Sequence, residues 1–205
     1  MNTRLWGMRC YLSGAMDKAA DNGVGWRKSL IPFLNNLGVI PLNPCEKPIE
    51  FDSEIQNREL RSLLKSEDRF EELNNEVRKL RVIDLRMVDS ADFLIVNVDN
   101  DVPSCGTWEE VTLANREKDP ILIRCEQGKK EIPDWVWGMI PHQHVFGKWE
   151  ELKSYLVHVH ADPEVNTFKR WVFFDYSQMV PKVNIASSAK FAGNYLISES
   201  HRKSL

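Results

Sequence analysis

The feature that most constrains the fold is a regular alternation of short apolar runs with longer amphipathic stretches. The apolar runs predict five strands, at 8–12, 38–43, 92–98, 120–125 and 143–147. The amphipathic stretches predict helices near 24–37, within 54–80, near 107–117 and near 148–158. A strand, helix, strand order is typical of parallel strands joined by crossover helices. We therefore predict an α/β fold built on one parallel sheet.

Two of these runs are apolar almost throughout. Residues 92–98 read DFLIVNV, and residues 120–125 read PILIRC. Strands of this kind are usually covered by helices on both faces. The prediction is therefore a three-layer arrangement, with a five-stranded parallel sheet between two layers of helices.

Composition limits the partners that the chain can have. Its 205 residues suit one catalytic domain, and 27 Lys and Arg against 30 Asp and Glu give a formal net charge of −3. Non-specific nucleic-acid binding needs an excess of positive charge, which is absent here. No segment approaches the roughly 20 apolar residues of a membrane span, and the first residues lack the apolar core of a signal peptide. We expect a cytoplasmic protein that acts on a small molecule, with no nucleic-acid polymer and no membrane as partner.

The cysteines and histidines form no metal-binding pattern. Four cysteines are scattered along the chain, at Cys10, Cys45, Cys105 and Cys125. The pairs at 142–144 and 158–160 have no further ligand residue at a suitable spacing. We expect free thiols, no metal and no organic cofactor.

Open parallel sheets bind ligands beyond the carboxyl ends of their strands. After the third predicted strand, a helix is expected to begin within Ser104-Cys-Gly-Thr-Trp-Glu-Glu110. Ser104 is a suitable N-cap, and the amides of Cys105, Gly106 and Thr107 would then point out of the helix start. An anion fits such a place.

Two adjacent carboxylates follow in this helix. Glu109 and Glu110 diverge by about 100° around the helix axis, so at most one faces the crevice. Glu110 lies on the stripe of Leu113 and Ala114, which directs it toward the sheet. The pattern alone leaves open that both acids are solvated surface residues.

Five segments occur together in a meaningful order: YLSGAMD at 11–17, Asp84, SADFLIVNVD at 90–99, GTWEE at 106–110 and PILI at 120–123. Together they resemble the nucleoside 2-deoxyribosyltransferase and nucleotide 5'-monophosphate N-glycosidase superfamily, over about three quarters of the chain. The resemblance implies a flavodoxin-like (Rossmann-like) fold, with a catalytic domain at 1–160. Residues 161–205 would form a C-terminal extension, for which oligomerisation is one open role.

The resemblance also implies catalytic roles. Glu110, at the last position of Gly-Thr-x-x-Glu, matches the nucleophile, and Tyr11 matches the tyrosine whose hydroxyl orients that carboxylate. Asp84 matches the aspartate that faces the base and handles its proton, as a general acid if burial and Glu110 keep it protonated. Two alternatives from the residues alone stay open: Asp84 as a helix N-cap, and Tyr11 as an ordinary core aromatic.

Further residues are predicted to contact the substrate. Ser13 and Gly14 match the loop that lines the pocket, and Asp17 belongs to the same segment. Gly106 offers a helix N-terminal amide. Trp26 and Trp108 are candidates for stacking on a base. Arg27 or Lys28 would be a further phosphate partner, unless each is a solvated surface charge.

One departure from the transferase pattern points to the substrate. Deoxyribosyltransferases carry an aspartate six residues before the nucleophile, where this chain has Ser104. A serine at a helix N-terminus donates to phosphate, whereas a carboxylate would repel it. We therefore predict hydrolysis of a nucleoside 5'-monophosphate to free base and (deoxy)ribose 5-phosphate. Asp99 or Asp101 would take the sugar-binding role if the loop is longer than assumed.

The alternatives are a nucleoside 2'-deoxyribosyltransferase and a non-catalytic nucleotide-sensing protein with the same pocket. The resemblance further implies a homodimer or a higher homo-oligomer whose neighbouring subunit completes the pocket. No motif identifies the residue that this neighbour would supply.

Overall fold

The computed structural model describes residues 4–47 and 57–173 of the chain. Five parallel strands form one sheet in the order β2-β1-β3-β4-β5. Their bounds are β1 Arg9–Gly14, β2 Ile40–Leu42, β3 Phe93–Val98, β4 Ile121–Cys125 and β5 Val145–Phe146. The predicted five-stranded parallel sheet is confirmed, and its strand order is that of the flavodoxin-like fold.

The described part of the chain contains six α-helices: α1 Val24–Asn36, α2 Asn57–Ser66, α3 Phe70–Asp89, α4 Cys105–Glu117, α5 Asp134–Trp137 and α6 Trp149–Ala161. Short 3₁₀ turns lie at Lys129–Glu131 and His142–His144. None of the helices within 4–47 and 57–173 is both long enough and apolar enough to cross a membrane.

The central strand β3 explains why the sheet needs two layers of helices. Alternate side chains point to opposite faces, as in any strand. Leu94 and Val96 pack with Val111 of α4 on one face, while Phe93 meets Trp171 on the other, with ring centroids 5.2 Å apart. Each buried aliphatic side chain contributes about 1.5–3 kcal/mol. The hydrophobic effect therefore fixes both layers.

The two helical layers differ in composition. On one face, α3 and α4 cover the sheet with small and branched residues, among them Val88 and Ala114. The other layer contains α1 and α6, which meet where Trp26 stacks on Trp149 at 5.5 Å. The three-layer prediction is confirmed by this arrangement.

The charged stretch after β2 is two helices. Helix α2 ends at Ser66, and Asp68 adopts a left-handed conformation with φ of 55° before α3 begins. Aspartate tolerates this conformation better than most residues do. Helix α3 then continues to Asp89, beyond the predicted limit near residue 80. The possibility that Asp84 is a helix N-cap is therefore wrong, since Asp84 lies inside α3.

The residues that follow α6, up to Phe173, pack against the rest of the domain. Arg170 donates hydrogen bonds to the Asn115 side chain at 2.7 Å and to the Met139 carbonyl at 2.8 Å. Trp171 is buried. The compact unit extends to Phe173, past the predicted boundary at 160. An oligomerisation role for 161–205 stays a prediction, and residues 174–205 lie outside the described residues.

Candidate active site

A cavity of about 370 Å³ opens at the carboxyl end of β1, beside the start of α4. This is the switch point of the sheet, because β1 is flanked by β2 on one side and β3 on the other. Tyr11, Asp84 and Glu110 all line this cavity. A larger groove of about 880 Å³ lies between α2 and α3 and holds none of the predicted site residues. The smaller cavity is therefore the candidate site.

Glu110 is held by two hydroxyl groups from β1. The Tyr11 hydroxyl donates to Glu110 Oε1 at 2.9 Å, and the Ser13 hydroxyl donates to Oε2. Both β1 residues are almost completely buried. Two donated hydrogen bonds fix the plane of the carboxylate and favour its charged form. A carboxylate held in this orientation and facing a cavity is suited to nucleophilic attack.

The local sequence explains this meeting. Residues two apart on a strand point to the same face, so Tyr11 and Ser13 both project toward α4. Buried Thr107, Val111 and Ala114 pin α4 to the sheet. Glu110 therefore faces β1. Glu109 points outward and bonds to Arg81, with 2.9 Å between Arg81 Nε and Glu109 Oε2.

Tyr11 remains a hydrogen-bond donor. Burial raises its pKa well above the usual value of 10, and the negative charges of Glu110 and Asp84 raise it further. The positive charge of Arg27 acts in the opposite direction and is the smallest of these causes. The phenol is therefore protonated at physiological pH, as its bond to Glu110 requires.

Asp84 is paired with a lysine that the sequence did not single out. Lys47 Nζ lies 2.9 Å from Asp84 Oδ1, and the exposed fractions of the two side chains are 2% and 14%. A neighbouring cation favours the charged form of a carboxyl group. This pairing opposes the expectation that Asp84 is a proton donor. Lys47 lies in the loop after β2, where neither periodicity nor motif marked it.

Four other predicted substrate-binding residues line the cavity: Gly14, Asp17, Ser104 and Gly106. Ser104 is the N-cap residue of α4, as predicted, but within the described chain its side chain makes no capping hydrogen bond. Asp17 is exposed and lies 3.7 Å from the Arg61 guanidinium. Ser13 is adjacent to these residues but contacts Glu110 instead.

The two tryptophans are not brought into the cavity. Trp108 packs against the core cluster between the sheet and α4. It lies two residues before Glu110, or about 200° around the helix, so the two cannot share a face. Trp26 stacks on Trp149. Among the described residues, neither tryptophan lines the cavity, so the geometry does not support base stacking on them.

The possibility that Arg27 is a solvated surface charge is wrong. The residue is buried, and its guanidinium donates to the carbonyls of Leu12 at 3.0 Å, Gly14 at 3.0 Å and Gly23 at 2.7 Å. It thereby shapes the end of β1 and also lines the cavity. The sequence contained one indication of this burial. Arg27 lies three residues before the apolar Leu30, and residues at this spacing share a helix face.

The structure does not support the sugar-binding role considered for Asp99 or Asp101 in the loop after β3. Gln127 Nε2 donates to Asp99 Oδ1 at 2.6 Å and to Asp101 Oδ2 at 3.1 Å. Neither aspartate is among the described residues that line the cavity.

Comparison with known proteins gives matches among solved structures. No protein-family model matches the chain, and no curated protein does. A 2-deoxyribosyltransferase from Bacillus psychrosaccharolyticus superposes with a TM-score of 0.51 and 12% identity, over 81% of this chain and 98% of that one. The chain has the fold of a 2-deoxyribosyltransferase.

Two further solved structures are similar to the chain. A 2-deoxyribosyltransferase from Leishmania mexicana has a TM-score of 0.48 and 17% identity, over 75% of this chain and 99% of that one. A CMP N-glycosidase from Clostridium botulinum has a TM-score of 0.44 and 18% identity, over 74% of this chain and 98% of that one.

Proposed function

We propose that the chain belongs to the nucleoside 2-deoxyribosyltransferase-like superfamily and hydrolyses the N-glycosidic bond of a nucleoside 5'-monophosphate. The observation that carries this proposal is the Glu110 carboxylate, which faces a cavity while Tyr11 and Ser13 each donate to one of its oxygens. The order of the sequence motifs supports the same reaction.

In the first step, a carboxylate oxygen of Glu110 attacks C1' of the sugar. The bond between C1' and the base nitrogen breaks, and its electron pair goes to the base. A base that has already gained a proton from solvent then leaves as a neutral molecule. Trapping the sugar as an ester divides one difficult displacement into two easier ones.

In the second step, water attacks C1' and releases Glu110 as a carboxylate. The proton that water loses passes to Asp84 and then to solvent. An ion-paired Asp84 suits this role, because a charged carboxylate accepts protons and hydrogen bonds. In the first step the same carboxylate would accept a hydrogen bond from the protonated base. This replaces our expectation of a protonated Asp84.

The proposed phosphate position is the start of α4. Ser104 and Gly106 line the cavity there, and an α-helix N-terminus presents unpaired amides and a partial positive charge. Lys18 and Arg27 add positive charge to the cavity lining. We also propose a cytoplasmic homodimer or higher homo-oligomer, as the sequence resemblance implies.

The test is chromatography of the purified protein with ribo- and deoxyribonucleoside 5'-monophosphates and the matching nucleosides, with and without a second free base. We expect base release from the monophosphates. Exchange of bases on unphosphorylated nucleosides would instead indicate a 2'-deoxyribosyltransferase. Binding without turnover on every substrate would indicate a nucleotide-sensing protein.

Ser104→Asp is the matched variant for the phosphate argument. A second negative charge beside the phosphate should weaken binding, since like charges repel. We expect kcat/KM to fall about tenfold or more for the 5'-monophosphate and to change little for the nucleoside. Equal losses on both substrates would contradict the phosphate position.

A further inference from the structure

The Lys47–Asp84 ion pair is a feature of the site that no sequence motif announced. Lys47 contributes its ammonium group from the loop after β2, and Asp84 contributes its carboxylate from α3. Their 2.9 Å separation is that of a close ion pair. The Lys47 side chain is almost fully buried, so this is an internal ion pair rather than a surface one.

Burial gives the pair its significance. A buried ammonium group loses its hydration and is retained only where a compensating charge lies close by. Lys47 is not among the described residues that line the cavity, whereas Asp84 is. Asp84 is therefore the member of the pair that faces a bound substrate.

The effect of Lys47 on the ionisation of Asp84 depends on the other charged groups nearby. Asp84 and Glu110 both line the cavity, and the negative charge of each raises the pKa of the buried Tyr11 hydroxyl that lies beside them. Two carboxylates in such an environment disfavour each other's ionisation. The positive groups that oppose this effect are Lys47 from the β2 loop and Arg27 from α1. Asp17 and Lys18 also line the cavity, and both are exposed.

We propose that Lys47 is a positioning residue of the active site, which holds Asp84 in place and keeps Asp84 and Glu110 ionised at the same time. Glu110 is then ready to attack, and Asp84 is ready to accept a hydrogen bond from the base. This inference rests on the proposed function for its catalytic meaning, but the charge states themselves are independent of turnover.

The direct test is a carboxyl ¹³C NMR titration of the full chain, with Asp84→Asn and Glu110→Gln used to assign the two signals. In the wild-type protein we expect both carboxyls to be ionised throughout pH 5.5–8. In Lys47→Met, we expect one of them to titrate at a pH higher by about one unit or more, because a neighbouring opposite charge shifts carboxyl groups by about 1–3 units.

Two further variants separate charge from structure. Lys47→Arg keeps the positive charge and should titrate like the wild-type protein. Lys130→Met removes a lysine that is exposed, beyond β4, and should also leave the titrations unchanged. If Lys47→Met fails to fold, the double variant Lys47→Met, Asp84→Asn removes both charges and leaves neither one unpaired. In that variant Glu110 should titrate as it does in Asp84→Asn alone.

Kinetics add a second readout. In Lys47→Met, the acid limb of the kcat/KM profile should move to higher pH by the same amount as the carboxyl titration, with Lys47→Arg restoring it. Unchanged carboxyl titrations in Lys47→Met would overturn the role of Lys47. Lack of turnover by the wild-type protein would instead contradict the proposed function and leave the NMR result standing.

Discussion

At the scale of single residues, the account depends on the two hydroxyls that hold Glu110. Tyr11→Phe and Ser13→Ala each remove one donor and leave the fold largely intact. A hydrogen bond to a charged group contributes about 1.5–3 kcal/mol, so each variant should lower kcat by about 10- to 100-fold. Steady-state kinetics with the best monophosphate measures this loss.

Glu109→Gln is the matched control for these variants. Glu109 is adjacent to the proposed nucleophile but is exposed and bonded to Arg81. Its kcat should stay within about twofold of the wild-type value, because Glu109 is not among the described residues that line the cavity and its exposed ion pair contributes little to stability. If Glu109→Gln lost as much activity as Tyr11→Phe, the assignment of Glu110 would be contradicted.

Alanine substitutions at two glycines of the cavity lining should change the stability of the fold in opposite directions. A Cβ at Gly14 would lie 2.9 Å from the Asn97 carbonyl oxygen, whereas one at Gly106 would meet no atom within 4 Å. Gly14→Ala should therefore lower the melting temperature. Gly106→Ala should raise stability by up to about 1 kcal/mol, since alanine favours helices, yet should lower kcat/KM because its methyl group enters the substrate's space.

Thermal unfolding and kinetics on the same samples check both glycine variants. A stable Gly106→Ala protein with unchanged kcat/KM would mean that the substrate does not approach the start of α4. A Gly14→Ala protein as stable as the wild type would show that the end of β1 can shift away from β3.

At the scale of elements, the segment after α6 is tied to the sheet through an aromatic cluster. His144 Nε2 lies 2.8 Å from the Tyr155 hydroxyl, and Trp171 Nε1 donates to the same hydroxyl at 3.0 Å. Burial lowers the pKa of His144 to about 4, with a smaller contribution from Arg170. His144 is therefore neutral in the folded protein at physiological pH.

The fold should lose stability as pH falls from about 6.5 to 4. The folded state resists protonation of His144 in this window while the unfolded state accepts the proton, so the loss is at most about 3 kcal/mol. Asp119 opposes it, because burial raises the pKa of Asp119 to about 6 and the folded state then binds protons more readily. Denaturant unfolding at several pH values measures the net slope.

His144→Gln isolates the contribution of this residue. It should reduce the loss of stability on acidification, whereas the exposed neighbour His142→Gln should leave the slope as it is. Equal slopes in the wild-type and His144→Gln proteins would show that the cluster does not sense protonation.

Helix α3 illustrates what local patterns can and cannot predict. The amphipathic repeat predicted helical structure within 54–80, but not the break at Asp68 or the continuation to Asp89. Hydrophobic contacts of Leu80 and Val88 extend the helix, and these depend on tertiary packing. That extension decides the environment of Asp84, which a motif match alone left open.

At the scale of the whole molecule, the sequence predicted the parallel sheet and the meeting of Tyr11, Asp84 and Glu110 in one cavity. The sheet prediction rests on the period of apolar residues. The three site residues were implied by the resemblance to the 2-deoxyribosyltransferase superfamily, and the rule that ligands bind at strand ends only indicated where on the sheet a site should lie. Lys47 was not predictable in this way, because a loop has no period and its partner is distant in sequence. The burial of Arg27 likewise depends on the path of the backbone after β1.

The central claim is that Glu110 carries the sugar as a covalent ester. The most direct measurement begins by mixing the protein with a nucleoside 5'-monophosphate that it hydrolyses and quenching the reaction rapidly with acid. The protein is then digested, and its peptides are analysed by mass spectrometry. We predict a sugar phosphate adduct on the peptide containing Glu110, present in Glu109→Gln and absent in Glu110→Gln. Turnover with no adduct at Glu110, or with an adduct on another residue, would contradict the account.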